Sequence, residues 1–161
     1  MKGLKEGILL EVGFDDVTPN EPKDVTSWAY EYAADKVEVK DNRAKAIPCY
    51  SPGYTLVEKL QTISTKYRQQ QEDGSFPINF MRYYYDVYCL LQGSEVLSFI
   101  GMPKYHEHKK KRFRRSDNQN ISENEAFLLS NTKIRQEYED AYKGTPTLYY
   151  KTQPDFSEIM D

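Results

Sequence analysis

Two spacings in the sequence are suited to chemistry: Thr55-x-x-Glu58-Lys59 and Arg82-x-x-x-Asp86. Thr55 and Glu58 stand three apart, as in a reciprocal cap at a helix start, which puts Lys59 one turn inside the helix. There a cation and the unpaired N–H groups attract phosphate; the plainer alternative is a surface lysine beside a capping glutamate. Arg82 and Asp86 stand four apart on one face of a mostly apolar helix. Such a pair either locks a bundle as an ion pair or belongs to a polar site.

A third feature is basic. Between Lys104 and Arg115 the only acidic residue is Glu107, while Tyr105 and Phe113 interleave with Lys109, Lys110, Lys111, Arg112, Arg114 and Arg115. A basic stripe with aromatics suits an RNA backbone, and the alternative is a solvated helix face or a contact for an acidic partner. His106 and His108 cannot share a helix face and lack a third ligand, so they read as surface histidines. Tyr83, Tyr84, Tyr85 and Tyr88 have rings that can stack on a base, but a tyrosine-rich core helix is the simpler reading. Cys49 and Cys89 match no metal spacing and read as free core thiols.

These residues need a scaffold, and 161 residues suffice for one domain or a small core with an appendage. Charged residues make up 29%, but seven Phe, fourteen Tyr and one Trp supply the buried area that a disordered chain lacks. No stretch reaches the length of a membrane span, and Glu11 cuts the apolar run at Ile8–Leu10 short of a signal-peptide core. A soluble cytoplasmic protein is expected. The pattern predicts a buried strand at Gly7–Phe14, a Pro-bearing loop at Asn20–Lys23, a helix through Trp28, Tyr30 and Ala33, and a hairpin of Val37–Lys40 with Ala44–Cys49. Leu56, Leu60, Ile63 and Tyr67 then mark one helix face. A buried central helix is expected from Ile78 or Asn79 to Gln92, then helices over Ser94–Ile100, Pro103–Arg115, Ser122–Leu129 and Asn131–Lys143. The fold class is α+β, with short N-terminal strands in residues 1–50 followed by a helical bundle in residues 51–161.

The runs Ser51–Leu60, Phe80–Leu91, Lys111–Asp117, Asn124–Ser130 and Leu148–Lys151 resemble the later part of AbiEii-type nucleotidyltransferase toxins, bacterial proteins paired with an antitoxin. The resemblance implies a DNA polymerase β-like nucleotidyl transfer, in some members to tRNA ends, using Mg²⁺ and a nucleoside triphosphate. It also implies that Lys59 steadies the triphosphate, that Asp86 is the carboxylate required near it, and that Arg82 orients Asp86. Glu11 is a weak match to a third metal carboxylate. RNA and an antitoxin protein are the implied partners.

The chain departs from that pattern in one respect. The Gly-Gly or Gly-Ser turn followed by Asp-x-Asp, which holds two Mg²⁺ ions in these enzymes, is missing, and the adjacent Asp15 and Asp16 point to opposite sides of an extended chain. The resemblance places that element upstream of Gly7. The expectation is therefore a family member without its metal-binding half, inactive alone and holding no metal or nucleotide strongly. The alternative is a non-catalytic helical module that binds RNA or an antitoxin. An uncovered strand at residues 7–14 would then pair with a second copy of the chain.

Overall fold

The computed structural model describes residues 13–15, 18–76, 79–146, 149 and 153–160. The chain divides into two compact units, one within Glu11–Ser51 and one over Pro52–Asp161.

In the first unit, β1 (Asn20–Val25) pairs antiparallel with β2 (Ala44–Tyr50), and α1 (Trp28–Ala34) lies between them in sequence. Ser27 caps α1 by accepting a hydrogen bond from the Tyr30 N–H. The expected loop at Asn20–Lys23 is thus a strand, and the expected hairpin partner Val37–Lys40 is not. Pro22 faces Pro48 across the ladder, so the two residues without an N–H sit opposite each other, which an antiparallel pair accepts at a non-hydrogen-bonded position. Val37 is diverted because its N–H bonds back to the Ala33 carbonyl at the end of α1. Asp41 closes the approach to β2 by binding Arg43 and Lys45, and these partners hold its carboxyl well below the usual range. The register slips between Lys23 and Val25; in the facing strand Ala46 takes φ 54° and donates its N–H to Asp24. Most of the Gly7–Phe14 strand, and with it the proposed pairing of copies, lies outside the described residues. Phe14 itself is exposed.

The second unit is built around α2 (Pro52–Asp73). Proline at the first position suits a helix start, and Gly74 ends the helix at φ 71° with its N–H on the Gln70 carbonyl. Leu56, Leu60 and Ile63 are buried and Tyr67 is half-buried, as their period requires. α3 (Arg82–Leu91), α4 (Ser94–Phe99), α5 (Pro103–Arg112) and α6 (Glu125–Leu128) all pack on α2. A 3₁₀ turn at Ile121–Glu123 precedes α6, and α7 (Thr132–Lys143) and α8 (Phe156–Met160) complete the unit. Gly53 faces Phe99 of α4 so closely that a Cβ there would lie 2.6 Å from the ring.

Several expectations shift here. α3 is less buried than its composition suggests: only Tyr84 is fully enclosed, while Phe80 and Met81 enter the core from the turn before it. α5 stops at Arg112 because Phe113 turns into the core. The span Ser122–Leu129 is broken at Asn124, whose side chain caps α6 through the Ala126 N–H. Asn131 caps α7 likewise. α8 has no counterpart in the sequence reading. Both cysteines are free, but neither is in the core: Cys49 is half-buried and Cys89 exposed.

Two apolar clusters share α2. Leu56, Val57 and Leu60 pack with Val96, Tyr105 and Phe113. Ile63 packs with Phe80, Met81, Leu129 and the aromatic group Tyr84, Tyr138, Tyr142, Tyr149 and Phe156. Buried phenols need partners, and they have them: Tyr84 donates to the Ala126 carbonyl at 2.6 Å, Tyr142 to the Pro154 carbonyl at 2.8 Å, and Tyr138 to the Gln70 side chain. Burial pushes the pKa of Tyr84, Tyr138 and Tyr142 upward.

Candidate functional site

The helical period that buries Leu56, Val57 and Leu60 leaves Glu58 and Lys59 on the flank of α2, between α3 and α5. Lys59 reaches α3. Its Nζ lies 2.6 Å from Asp86 Oδ2, with the two side chains 29% and 36% exposed. Arg82 does not pair with Asp86. Its guanidinium lies 5.4 Å from the Tyr83 ring centroid, and the ammonium groups of Lys59 and Lys66 lie 5.4 Å and 5.6 Å from the same ring. The structure thus brings Lys59 and Asp86 together and leaves Arg82 beside them with its charge directed to Tyr83. Glu11 lies outside the described residues.

Glu58 is not a helix cap. α2 begins at Pro52, so Thr55 is already inside it, and the Glu58 carboxylate binds α5: His108 Nε2 at 2.8 Å and Arg112 Nε at 2.6 Å. His108 is buried, not at the surface, and its ring lies 4.6 Å from that of Tyr54. This grip fixes the turn of α2 that carries Lys59. It also divides the basic segment. Arg112 is engaged with Glu58, and Lys109 lies half-buried against Tyr105 and Phe113, where burial lowers its pKa. Lys110, Lys111, Arg114 and Arg115 are exposed.

A second charged centre, to which the sequence reading gave no role, lies further along α2. The Asp117 carboxylate is fully enclosed; it accepts from Thr65 Oγ1 at 2.5 Å and Arg68 Nε at 2.9 Å. Arg68 also binds Glu72, and the two carboxylates, Asp117 foremost, raise its pKa. Asn124 donates to Ser64 Oγ at 3.0 Å and to the Asn118 carbonyl at 2.8 Å. Together these bonds staple the connection after α5 onto α2, beside an open cavity of about 380 Å³ lined by Tyr67, Arg68, Asp117 and Asn124. Asp117 and Asn124 fall within runs that carry the family resemblance, which was the one sequence signal pointing to them.

Nucleotidyl transferases generally use Mg²⁺, which needs clustered oxygen ligands. Among the described residues no group of three His, Cys, Asp or Glu side chains is placed to hold a metal ion. The described residues offer no such cluster for that ion, and Asp86 is engaged by Lys59. No helix of the described residues is long and apolar enough to cross a membrane. No curated protein and no solved structure matches the chain. A family model described as "Nucleotidyl transferase AbiEii toxin, Type IV TA system" matches residues 2–161. With a match over nearly its whole length, the chain belongs to the AbiEii nucleotidyl transferase toxin family of type IV toxin–antitoxin systems.

Proposed function

We propose that the helical unit serves a nucleotidyl transfer to RNA in the cytoplasm, with Lys59 holding the nucleotide's phosphates and Asp86 holding Lys59. The observation that carries this reading is the contact of 2.6 Å between Lys59 and Asp86, made by residues 27 apart in sequence and left part-exposed. A lysine charge builds little stability in such a pair, but it is well placed to meet the negative charge that grows on departing pyrophosphate. Arg82 lies within reach of the same phosphates. An antitoxin protein is the expected partner.

The test joins this chain to a Gly-Ser and Asp-x-Asp element and incubates it with labelled nucleoside triphosphates, Mg²⁺ and total tRNA. Labelling that disappears in Lys59→Ala and Asp86→Asn is the expected result; labelling that survives Lys59→Ala sinks the assignment. The chain alone is expected to transfer nothing.

A second reading rests on the exposed Lys110, Lys111, Arg114 and Arg115. These suit phosphate backbone contact, so the unit can serve as a module that binds RNA without chemistry. RNA retention that falls with Lys110→Gln and Arg114→Gln, in a joined protein that labels no RNA, would favour it.

A further inference from the structure

We infer that Lys66 and Arg82 form a phosphate clamp around Tyr83, next to the Lys59–Asp86 pair. The inference rests on the reading above and adds to it a residue, Lys66, that neither the sequence motifs nor the family match assigns. Three cations surround one aromatic ring: Lys59 Nζ at 5.4 Å, Lys66 Nζ at 5.6 Å and Arg82 Cζ at 5.4 Å from its centroid. Among the described residues one carboxylate, Asp86, is paired with any of the three, and it is Lys59 that holds it. Lys66 and Arg82 form no ion pair among the described residues. The other acidic side chain on this stretch of α2, Glu58, is bound to α5 through His108 and Arg112.

Like charges gathered without counter-charge repel one another, so such a cluster weakens the fold unless an anion joins it. The ring quadrupole offsets part of the repulsion and holds both cations in place. The backbone sets the rest. Lys59 and Lys66 are seven residues apart on α2, two turns along one face, and Arg82 opens α3 beside them. The excess of two positive charges matches phosphate oxyanions, and the planar guanidinium of Arg82 can grip two oxygens of one group. The phosphate has two sources in this chemistry, the triphosphate of a nucleotide and the backbone of the acceptor strand.

Sodium tripolyphosphate, followed by titration calorimetry, and a short oligouridylate without terminal phosphates, followed by fluorescence anisotropy, distinguish the two sources on the full chain. Lys66→Gln and Arg82→Gln should each weaken binding of at least one probe roughly tenfold, about the strength of one charge-assisted contact. The slope of affinity against salt should fall by about 1 for each cation removed. Lys66→Arg should retain binding, and Lys143→Gln, which removes a charge paired with Glu139 on α7, should change nothing. Loss confined to tripolyphosphate assigns the clamp to the nucleotide, and loss confined to the oligonucleotide assigns it to the strand. The clamp is refuted if the double variant binds both probes as the unaltered chain does, or if the unaltered chain binds neither. Circular dichroism checks the fold of the double variant, and Arg82→Gln, at an exposed position, carries the test if the double unfolds. RNA labelling by the joined protein, with probe binding indifferent to Lys66 and Arg82, refutes the clamp alone. Probe binding through these residues without any labelling refutes the transferase reading alone.

Discussion

The two halves of α2 put the same ingredients to different uses. Toward its start, a mainly aliphatic cluster lies beneath charged groups that keep part of their surface in water, Lys59 and Asp86 among them. Toward its end, a tyrosine-rich cluster adjoins Asp117, a carboxylate with no exposure and bonds from Thr65 and Arg68. A buried carboxylate bound by protein donors on both oxygens is committed to the fold, and its removal strands its partners. A part-exposed pair contributes little to folding, so its charges remain available. The difference separates a charge that holds the architecture from one that can serve chemistry.

Alkali should break this comparison most forcefully. Tyr84, Tyr138, Tyr142 and Tyr149 all have phenol pKa values raised above 10.0 by burial. The folded state keeps protons that the unfolded chain loses, so their stabilisation is complete below about pH 10 and is lost as pH rises through the folded values. In the other half Lys109 has a lowered pKa, which makes stability rise with pH below 10.5, while the raised pKa of Tyr105 opposes this as pH passes 10. Hydrogen exchange followed from pH 9 upward should show α7 losing protection before α5. Simultaneous loss would mean that the two clusters unfold as one.

Asp117→Ala comes next, with an expected cost of about 3 kcal/mol in urea unfolding, because Arg68 and Thr65 lose a buried acceptor. A cost below 1 kcal/mol would erase the distinction drawn between the two carboxylates. Tyr84→Phe should cost about 1–2 kcal/mol by leaving the Ala126 carbonyl without its donor, a change that a thermal melt resolves. The smallest effect is expected where the chemistry is placed: a double-mutant cycle of Lys59→Met and Asp86→Asn should give a coupling below about 1 kcal/mol. A coupling of several kcal/mol would make that pair a structural lock.

What could be read from the sequence follows from the range of each interaction. The face of α2 and the starts of α4 and α5 are local, governed by period, proline and glycine, and they lie where the pattern puts them. Family motifs pointed to Lys59 and Asp86, and the structure brings those two residues together. Misreadings arose where a local motif competed with a distant partner. Thr55-x-x-Glu58 has the form of a cap, yet Glu58 serves residues 50 and 54 positions away. Pro22 reads as loop until Pro48 is set opposite it. His108 reads as surface because nothing nearby in sequence indicates Glu58 or Tyr54. Asp117 is an ordinary loop aspartate until Thr65 and Arg68 enclose it.

Gly53 works as a gauge block between α2 and α4. Its missing side chain sets how near Phe99 can come, and a methyl group there would meet both the ring and the Phe99 Cβ, so α4 could not simply swing one end of a side chain aside. Since α4 leads within four residues into α5, which grips Glu58, an alanine at this position would pry on the turn that aims Lys59 from outside the site itself. Tolerance to mutation should therefore be low at a residue that has no functional group at all.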